Sequence, residues 1–300
     1  MGPESRGKFL SGFVSIIGPP NVGKSTLLNR LIGKKISIVS PKPQTTRNRI
    51  LGVYHGEGYQ IVFIDTPGIH RTRTPLHRSM VASAQSTFQE VDVILLMIEM
   101  PRPNSPEISP IIKKIRRLNR PVVLAINKID LGPKEKLLPI IDQFRERYPF
   151  AAIVPISALK GDGADLLLGE LKSRLTEGPA FFPKGMETDQ SETFLVSEVI
   201  REKVFKNAKK ELPYSSAVTV ERMEEASEGG LLNISAAINV ERQSQKGILV
   251  GHRGKMIRKI GQAARYDLEG IFGTRVFLDL TIRVQKNWSR DTRALRRLGY

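Results

Sequence analysis

The sequence predicts two folds in series: an α/β domain with a mostly parallel six-stranded sheet and helices on both faces, then a smaller α+β domain. Three observations carry this. Over residues 12–175, short apolar runs alternate with longer segments whose apolar residues recur at helical spacing, the pattern of strands joined by crossover helices. Near residues 177–192 the alternation lapses into a polar stretch holding Gly178, Pro179, Pro183 and Gly185, which reads as a linker. Beyond it the order becomes helix, strand, strand, helix, helix, strand. The 300 residues therefore divide into a first domain over 1–176, a linker over 177–192, and a second domain over 193–300 with a basic C-terminal tail.

Element by element, strands of the first domain fit residues 13–17, 50–54, 60–64, 93–98, 121–126 and 153–156, each a short run dominated by aliphatic side chains. Helices fit 24–32, 76–88, 106–118, 134–147 and 164–175, which are longer and amphipathic. In such a sheet the loops leaving the strand ends gather at one edge, where ligands bind. In the second domain a helix fits 194–211 and strands fit 217–222 and 231–241. Two helices then flank residues 251–254, and a last strand fits 276–284.

The net charge of +17 and pI near 10.1 point to a polyanionic partner, nucleic acid first and an anionic membrane surface second. Residues 246–265 concentrate it, with six bases and no acid. The absence of cysteine excludes disulfides, thiolate zinc sites and cysteine nucleophiles, and fits a reducing cytoplasm. His55, His70, His77 and His252 lack metal-ligand spacing. The best apolar run, 91–100, carries Asp92 and Glu99 and falls short of the roughly 20 residues that span a bilayer. No signal-peptide core or myristoylation pattern opens the chain. A soluble, cytoplasmic monomer is expected.

Four motifs carry the chemistry. Gly18, Pro19, Pro20, Asn21, Val22, Gly23, Lys24 and Ser25, with Thr26 following, match the P-loop pattern between a strand and a helix. Its backbone N–H groups cradle phosphates, Lys24 reaches the β/γ-phosphates and the Ser25 hydroxyl takes a Mg²⁺ position. Asp65, Thr66, Pro67 and Gly68 close a strand, placing the Asp65 carboxylate beside Mg²⁺ and the Gly68 N–H at the γ-phosphate. Asn127, Lys128, Ile129 and Asp130 end another. Asp130 offers two acceptors to the paired N1–H and N2–H₂ donors of guanine, and adenine would leave this carboxylate unpaired. Ser157, Ala158 and Leu159 would bring an N–H to the guanine O6. Four such motifs in this order specify a GTP- and GDP-binding P-loop GTPase domain. Between the first two motifs, Thr46 is the expected γ-phosphate and Mg²⁺ ligand, with Thr45 as the alternative. The residues placed at the reacting phosphate are Lys24, Thr46, Asn21 and Gly68. Ile69 stands where many GTPases carry the glutamine that orients water, so intrinsic hydrolysis is expected to be slow. His70 is read as a bystander.

In the second domain Gly251, His252, Arg253 and Gly254 form a GxxG loop between two helices. With the element order around it, this matches the type II KH arrangement, whose loop clamps the backbone of single-stranded RNA. Arg253, Lys255, Arg258 and Lys259 would neutralise phosphates. Trp288 either stacks on a base or packs in its own domain. Arg290, Arg293, Arg296 and Arg297 form one face of a short helix, either towards RNA or simply solvated.

The residues of the P-loop, Lys42 to Arg49, Asp65 to Ile69 and Asn127 to Asp130, followed by a KH-type domain, resemble the Era family of bacterial GTPases. The likeness runs from Gly12 to Tyr300 and takes in Leu212-Pro213-Tyr214 and Asn287-Trp288-Ser289. An apolar residue at position 69 is itself a feature of that family and its relatives. The resemblance implies a partner at the 3′ end of small-subunit rRNA, a role in maturing the 30S subunit, and some peripheral contact with the anionic inner face of the membrane. It further implies K⁺ held by Asn21, against the plainer reading that Asn21 bonds its own turn. Two other functions stay open at this point: an RNA chaperone that binds GTP with negligible turnover, and a membrane-surface GTPase.

Overall fold

In the computed structural model, residues 8–42, 45–65, 91–226 and 230–298 are described. They fall into two compact units that divide between Asp189 and Gln190, except that Ser37–Thr45 clusters with the second unit.

The first unit holds a sheet in the order β2-β3-β1-β4-β5-β6. The strands are β1 (Leu10–Ile17), β2 (Ile50–Gly56), β3 (Tyr59–Asp65), β4 (Val93–Glu99), β5 (Val122–Asn127) and β6 (Ala152–Pro155). All neighbours are parallel except β2 with β3. The near-continuous aliphatic runs of β4 and β5 are buried on both faces, as parallel strands between helical layers must be. Helices α1 (Lys24–Ile32), α2 (Ile108–Ile115), α3 (Leu137–Arg147) and α4 (Ala164–Lys172) supply the layers. In α2, Ile108, Ile111, Ile112 and Ile115 recur at three- and four-residue steps and are all buried. Each contributes roughly 1.5–3 kcal/mol of burial.

A seventh strand was not expected. β7 (Thr176–Glu177) pairs antiparallel with the start of β1. The rest of the supposed linker is anchored as well. The buried Gln60 carboxamide accepts from the Phe181 N–H (2.7 Å) and the Phe182 N–H (3.0 Å) and donates to Phe182 O (2.8 Å). Val53 N–H donates to Glu187 O (2.8 Å) and the Thr188 hydroxyl to Leu51 O (2.7 Å). Residues 176–188 thus form a strap that covers the edge strand β2, whose backbone groups need partners. Glycine and proline content marks irregular backbone; it does not say whether that backbone is free.

The second unit runs α5 (Glu192–Asn207), β8 (Ser216–Glu225), β9 (Leu231–Val240), α6 (Gln243–Val250), α7 (Lys255–Phe272), β10 (Arg275–Val284) and α8 (Thr292–Arg297). β9 is central, antiparallel to β8 and parallel to β10. Helix α5 starts at Ser191, whose hydroxyl accepts the Phe194 N–H (3.2 Å), the side-chain cap expected of serine. It ends four residues before the predicted 211. There the ammonium of Lys42 donates to the carbonyls of Phe205 and Ala208, at the end where a helix leaves its last carbonyls to be bonded from outside. Buried Arg201 pairs with Glu198 and donates to Thr45 O (2.6 Å). These bonds place Ser37–Thr45 in this unit.

Candidate nucleotide site and nucleic-acid groove

The carboxyl edge of the first sheet brings the nucleotide motifs together. β1 runs into the P-loop, where a Cβ on Gly18 would lie 2.4 Å from Met97 O and one on Gly23 2.4 Å from Asn127 Nδ2. Only glycine fits either position. α1 begins at Lys24, so its unpartnered N–H groups point into the loop. Lys24 is buried, and its ammonium donates to Pro19 O (2.9 Å) and Gly18 O (3.2 Å). Burial pushes its pKa down, with Asp65 opposing. Holding the charged form here costs stability, a cost relieved as pH rises from the lowered pKa towards the ordinary lysine value. A phosphate anion at this point offsets the same cost.

The Ser25 hydroxyl donates to Asp65 Oδ2 (2.6 Å) and lies 3.1 Å from Thr46 Oγ1. Three hard oxygen donors from α1, β3 and the segment before β2 converge, a donor set that suits Mg²⁺. Of the two threonines, Thr46 reaches this point. The Thr45 hydroxyl is occupied elsewhere, by Lys42 O (2.8 Å) and Ser40 Oγ (2.8 Å). Thr66, Pro67, Gly68, Ile69, His70 and the helix expected at 76–88 lie outside the described residues.

On the base-binding side, Asn127 is 2% exposed and works as a brace. Its Nδ2 donates to Val22 O (2.7 Å) and its Oδ1 accepts the Ala158 N–H (2.9 Å). The amide expected at the guanine O6 is thus engaged internally and would have to be shared. Lys128, at a left-handed φ of 63°, donates to Asn21 O (2.7 Å) and pairs with Glu99. Asp130 Oδ1 accepts the Ser157 hydroxyl (2.7 Å), and Leu159 O accepts Arg30. Asn21 is exposed at the rim, with φ 60°. Sequence reasoning missed Glu99 as part of this lattice; its one signal was an acid ending an otherwise apolar strand.

In the second unit, residues 252–254 form a tight turn between α6 and α7. A Cβ on Gly251 would lie 2.8 Å from Met256 Cβ. His252, Arg253, Lys255, Arg258 and Lys259 are all exposed around the turn, and Gly254 is half-buried. A groove of about 400 Å³ follows between α7 and β10, lined by Gly254, Arg258, Gln262, Arg265, Ile257 and Phe277 among others. Of the predicted residues only Gly254 and Arg258 line it. Gln262, Arg265 and Phe277 were not singled out, although Phe277 is 59% exposed, unusual for a strand phenylalanine.

Trp288 is fully buried against Ala217, Ala294, Leu295 and Leu298, and its indole donates to Ser215 O (3.2 Å). It packs in its own domain. Trp288→Phe should lower stability to urea by about 1–2 kcal/mol and leave RNA affinity unchanged; lost RNA affinity at full stability would return it to a base-stacking role. α8 buries Ala294 and Leu295 and exposes Arg293, Arg296 and Arg297.

Comparison with known proteins agrees with both units. A family model described as a 50S ribosome-binding GTPase matches residues 13–128, and a KH domain model matches 211–289. GTPase Era of Syntrophus aciditrophicus is 51% identical over 97% of this chain and 95% of its own. The chain belongs to the Era GTPase family. Era of Geobacter metallireducens is likewise 51% identical, over 97% of this chain and 98% of its own. Among solved structures, an Aquifex aeolicus Era variant bound to GDP and AlF4⁻ superposes with a TM-score of 0.94 at 41% identity, covering 97% of this chain and 99% of that one. Era in complex with MgGDPNP and nucleotides 1506–1542 of 16S ribosomal RNA matches with the same TM-score, identity and coverage. Like its family, the chain is a GTPase: a guanine-nucleotide domain of mostly parallel sheet followed by a KH domain.

Proposed function

We propose that this Era-family GTPase is a GTP-switched assembly factor of the 30S ribosomal subunit whose KH groove takes single-stranded RNA at the 3′ end of small-subunit rRNA. The observation that carries it is the groove behind the GxxG turn, lined by half-buried apolar Ile257, Leu278 and Leu280 and by exposed Arg258 and Arg265, in a chain that also has a guanine-nucleotide domain. Unstacked bases need apolar contact and phosphates need bases, and the groove offers both. The Era relative bound to 16S nucleotides 1506–1542 supports the choice of RNA. Crosslinking in cells, with sequencing of the bound RNA, should place reads at the 3′ end of small-subunit rRNA. Reads spread over unrelated transcripts would reduce the protein to a general RNA chaperone.

Mg²⁺ would be held by Ser25, Thr46 and Asp65 and would neutralise charge on the phosphates. The chain's own groups position them: P-loop amides and Lys24 on the phosphates, Asp130 on guanine, with Gly68 assigned to the γ-phosphate. Position 69 offers no glutamine to orient water, and the positive charge that an arginine finger would place at the phosphates has to come from another group. Asn21, exposed at the rim of the P-loop, is assigned to K⁺. GTP turnover in KCl should exceed that in NaCl at matched ionic strength by about tenfold, and Asn21→Ala should remove the difference. Equal wild-type rates in both salts would take the ion out of the reading. The protein is assigned to the cytoplasm as a monomer; among the described residues no helix is long and apolar enough to cross a membrane.

A further inference from the structure

The nucleotide phosphates belong to the carboxyl edge of the first sheet, and single-stranded RNA to the GxxG loop. Neither accounts for the amino edge of that sheet. There the end of α2 and the following turn read Lys113-Lys114-Ile115-Arg116-Arg117-Leu118-Asn119-Arg120, five bases and no acid. They lead directly into Pro121 and the first residue of β5. Because α2 buries its four isoleucines, Lys113, Arg116, Arg117 and Arg120 are turned to solvent. The side chains of Lys113, Arg117 and Arg120 enter no hydrogen bond or ion pair among the described residues. Arg116 is held in place: it donates to Arg147 O and its guanidinium lies 5.7 Å from the centre of the Tyr148 ring. Helix α3 adds exposed Arg145 beside its acids Asp142 and Glu146, with Asp142 3.8 Å from Arg145. Between Arg116, Asn119, Arg120 and Tyr148 lies a shallow hollow of about 490 Å³.

We propose that this edge is a second RNA-contact surface that takes the phosphate backbone of double-helical ribosomal RNA. Concentrated like charge repels itself, and a polyanion removes that repulsion. Single-stranded RNA requires exposed rings or apolar side chains for its bases. None of the exposed large apolar residues falls in 113–121, and Arg116 covers the face of Tyr148. Duplex RNA is bound through its phosphates and 2′-hydroxyls, which exposed basic side chains can meet without a pocket for bases. A membrane surface is less suited, because interfacial helices insert an apolar face and that of α2 is buried in the core.

The surface rests on the reading that the chain works on ribosomal RNA, but its test uses a separate probe. The triple variant Lys113→Glu/Arg117→Glu/Arg120→Glu of the full chain is compared with wild type on three probes. These are a blunt RNA duplex, a single-stranded oligonucleotide of the small-subunit 3′ end, and phosphatidylglycerol vesicles. Expected are an affinity loss of tenfold or more on the duplex, a salt dependence shallower by about two to three units, and little change on the single strand. The milder Lys113→Gln/Arg117→Gln/Arg120→Gln variant, checked for an unchanged melting temperature, should lose less in the same direction. Unchanged duplex affinity overturns the proposal, as does an equal loss on the single strand or a loss confined to vesicles. Failure of the wild type to bind the single strand would instead count against the KH reading, because the duplex arm does not use that groove.

Discussion

Replacing Asp130 with asparagine should lower GTP affinity on the order of a thousandfold and raise affinity for xanthine nucleotides. The geometry makes the direction specific. Ser157 donates its hydroxyl to Asp130 Oδ1 at 2.7 Å. In Asp130→Asn the side-chain oxygen keeps that bond, which turns the NH₂ to where the second carboxylate oxygen now stands. A donor then faces the N1–H and N2–H₂ donors of guanine, and the buried pair is left unsatisfied. Xanthine carries a carbonyl at C2 and accepts that NH₂. The measurement is nucleotide affinity for GTP and its xanthine counterpart, side by side, in wild type and variant. Retained GTP affinity would mean that guanine is read elsewhere at this edge.

The second large effect belongs to the KH loop. With His252→Glu and Arg253→Glu together, affinity for single-stranded 3′-end RNA should fall about a hundredfold at moderate salt. Both side chains are exposed, and Arg253 sits at a left-handed φ of 50° at the tip of the turn. Its charge therefore meets phosphate early, and two acids there repel it. Neither side chain packs in the core, so the fold should persist, which the melting temperature checks. GTP binding should be unaltered, because its residues lie in the other unit. Undiminished RNA affinity would move the binding to Arg290, Arg293, Arg296 and Arg297.

Much of this was legible in the residues because the nucleotide motifs are local. A P-loop needs a strand, a tight glycine turn and a helix within a short span, and α1 begins and ends at the predicted residues 24 and 32. The strand positions follow from aliphatic runs that only a doubly covered sheet buries. The sequence left a choice between Thr45 and Thr46, since adjacent hydroxyls look alike on paper. Tertiary structure separates them, sending one to Ser40 and Lys42 O and the other to Ser25.

What the sequence determined by itself, then, is the pair of domain types: the guanine-nucleotide motifs and the GxxG turn are each short, contiguous patterns, whereas the groove behind that turn is assembled from α7 and β10. What tertiary structure alone decided is where the unmarked segments go. The strap over residues 176–188 is set by Gln60 and by the open edge of β2, more than a hundred positions away. The placement of Ser37–Thr45 goes with the bonds that Lys42 gives to the Phe205 and Ala208 carbonyls at the end of α5. Trp288 is drawn inward by Ser215 O and an apolar niche of α8 and β8. In each case the deciding partner is a side chain, backbone group or apolar niche that comes within reach only once distant parts of the chain have folded together, so no local pattern records it.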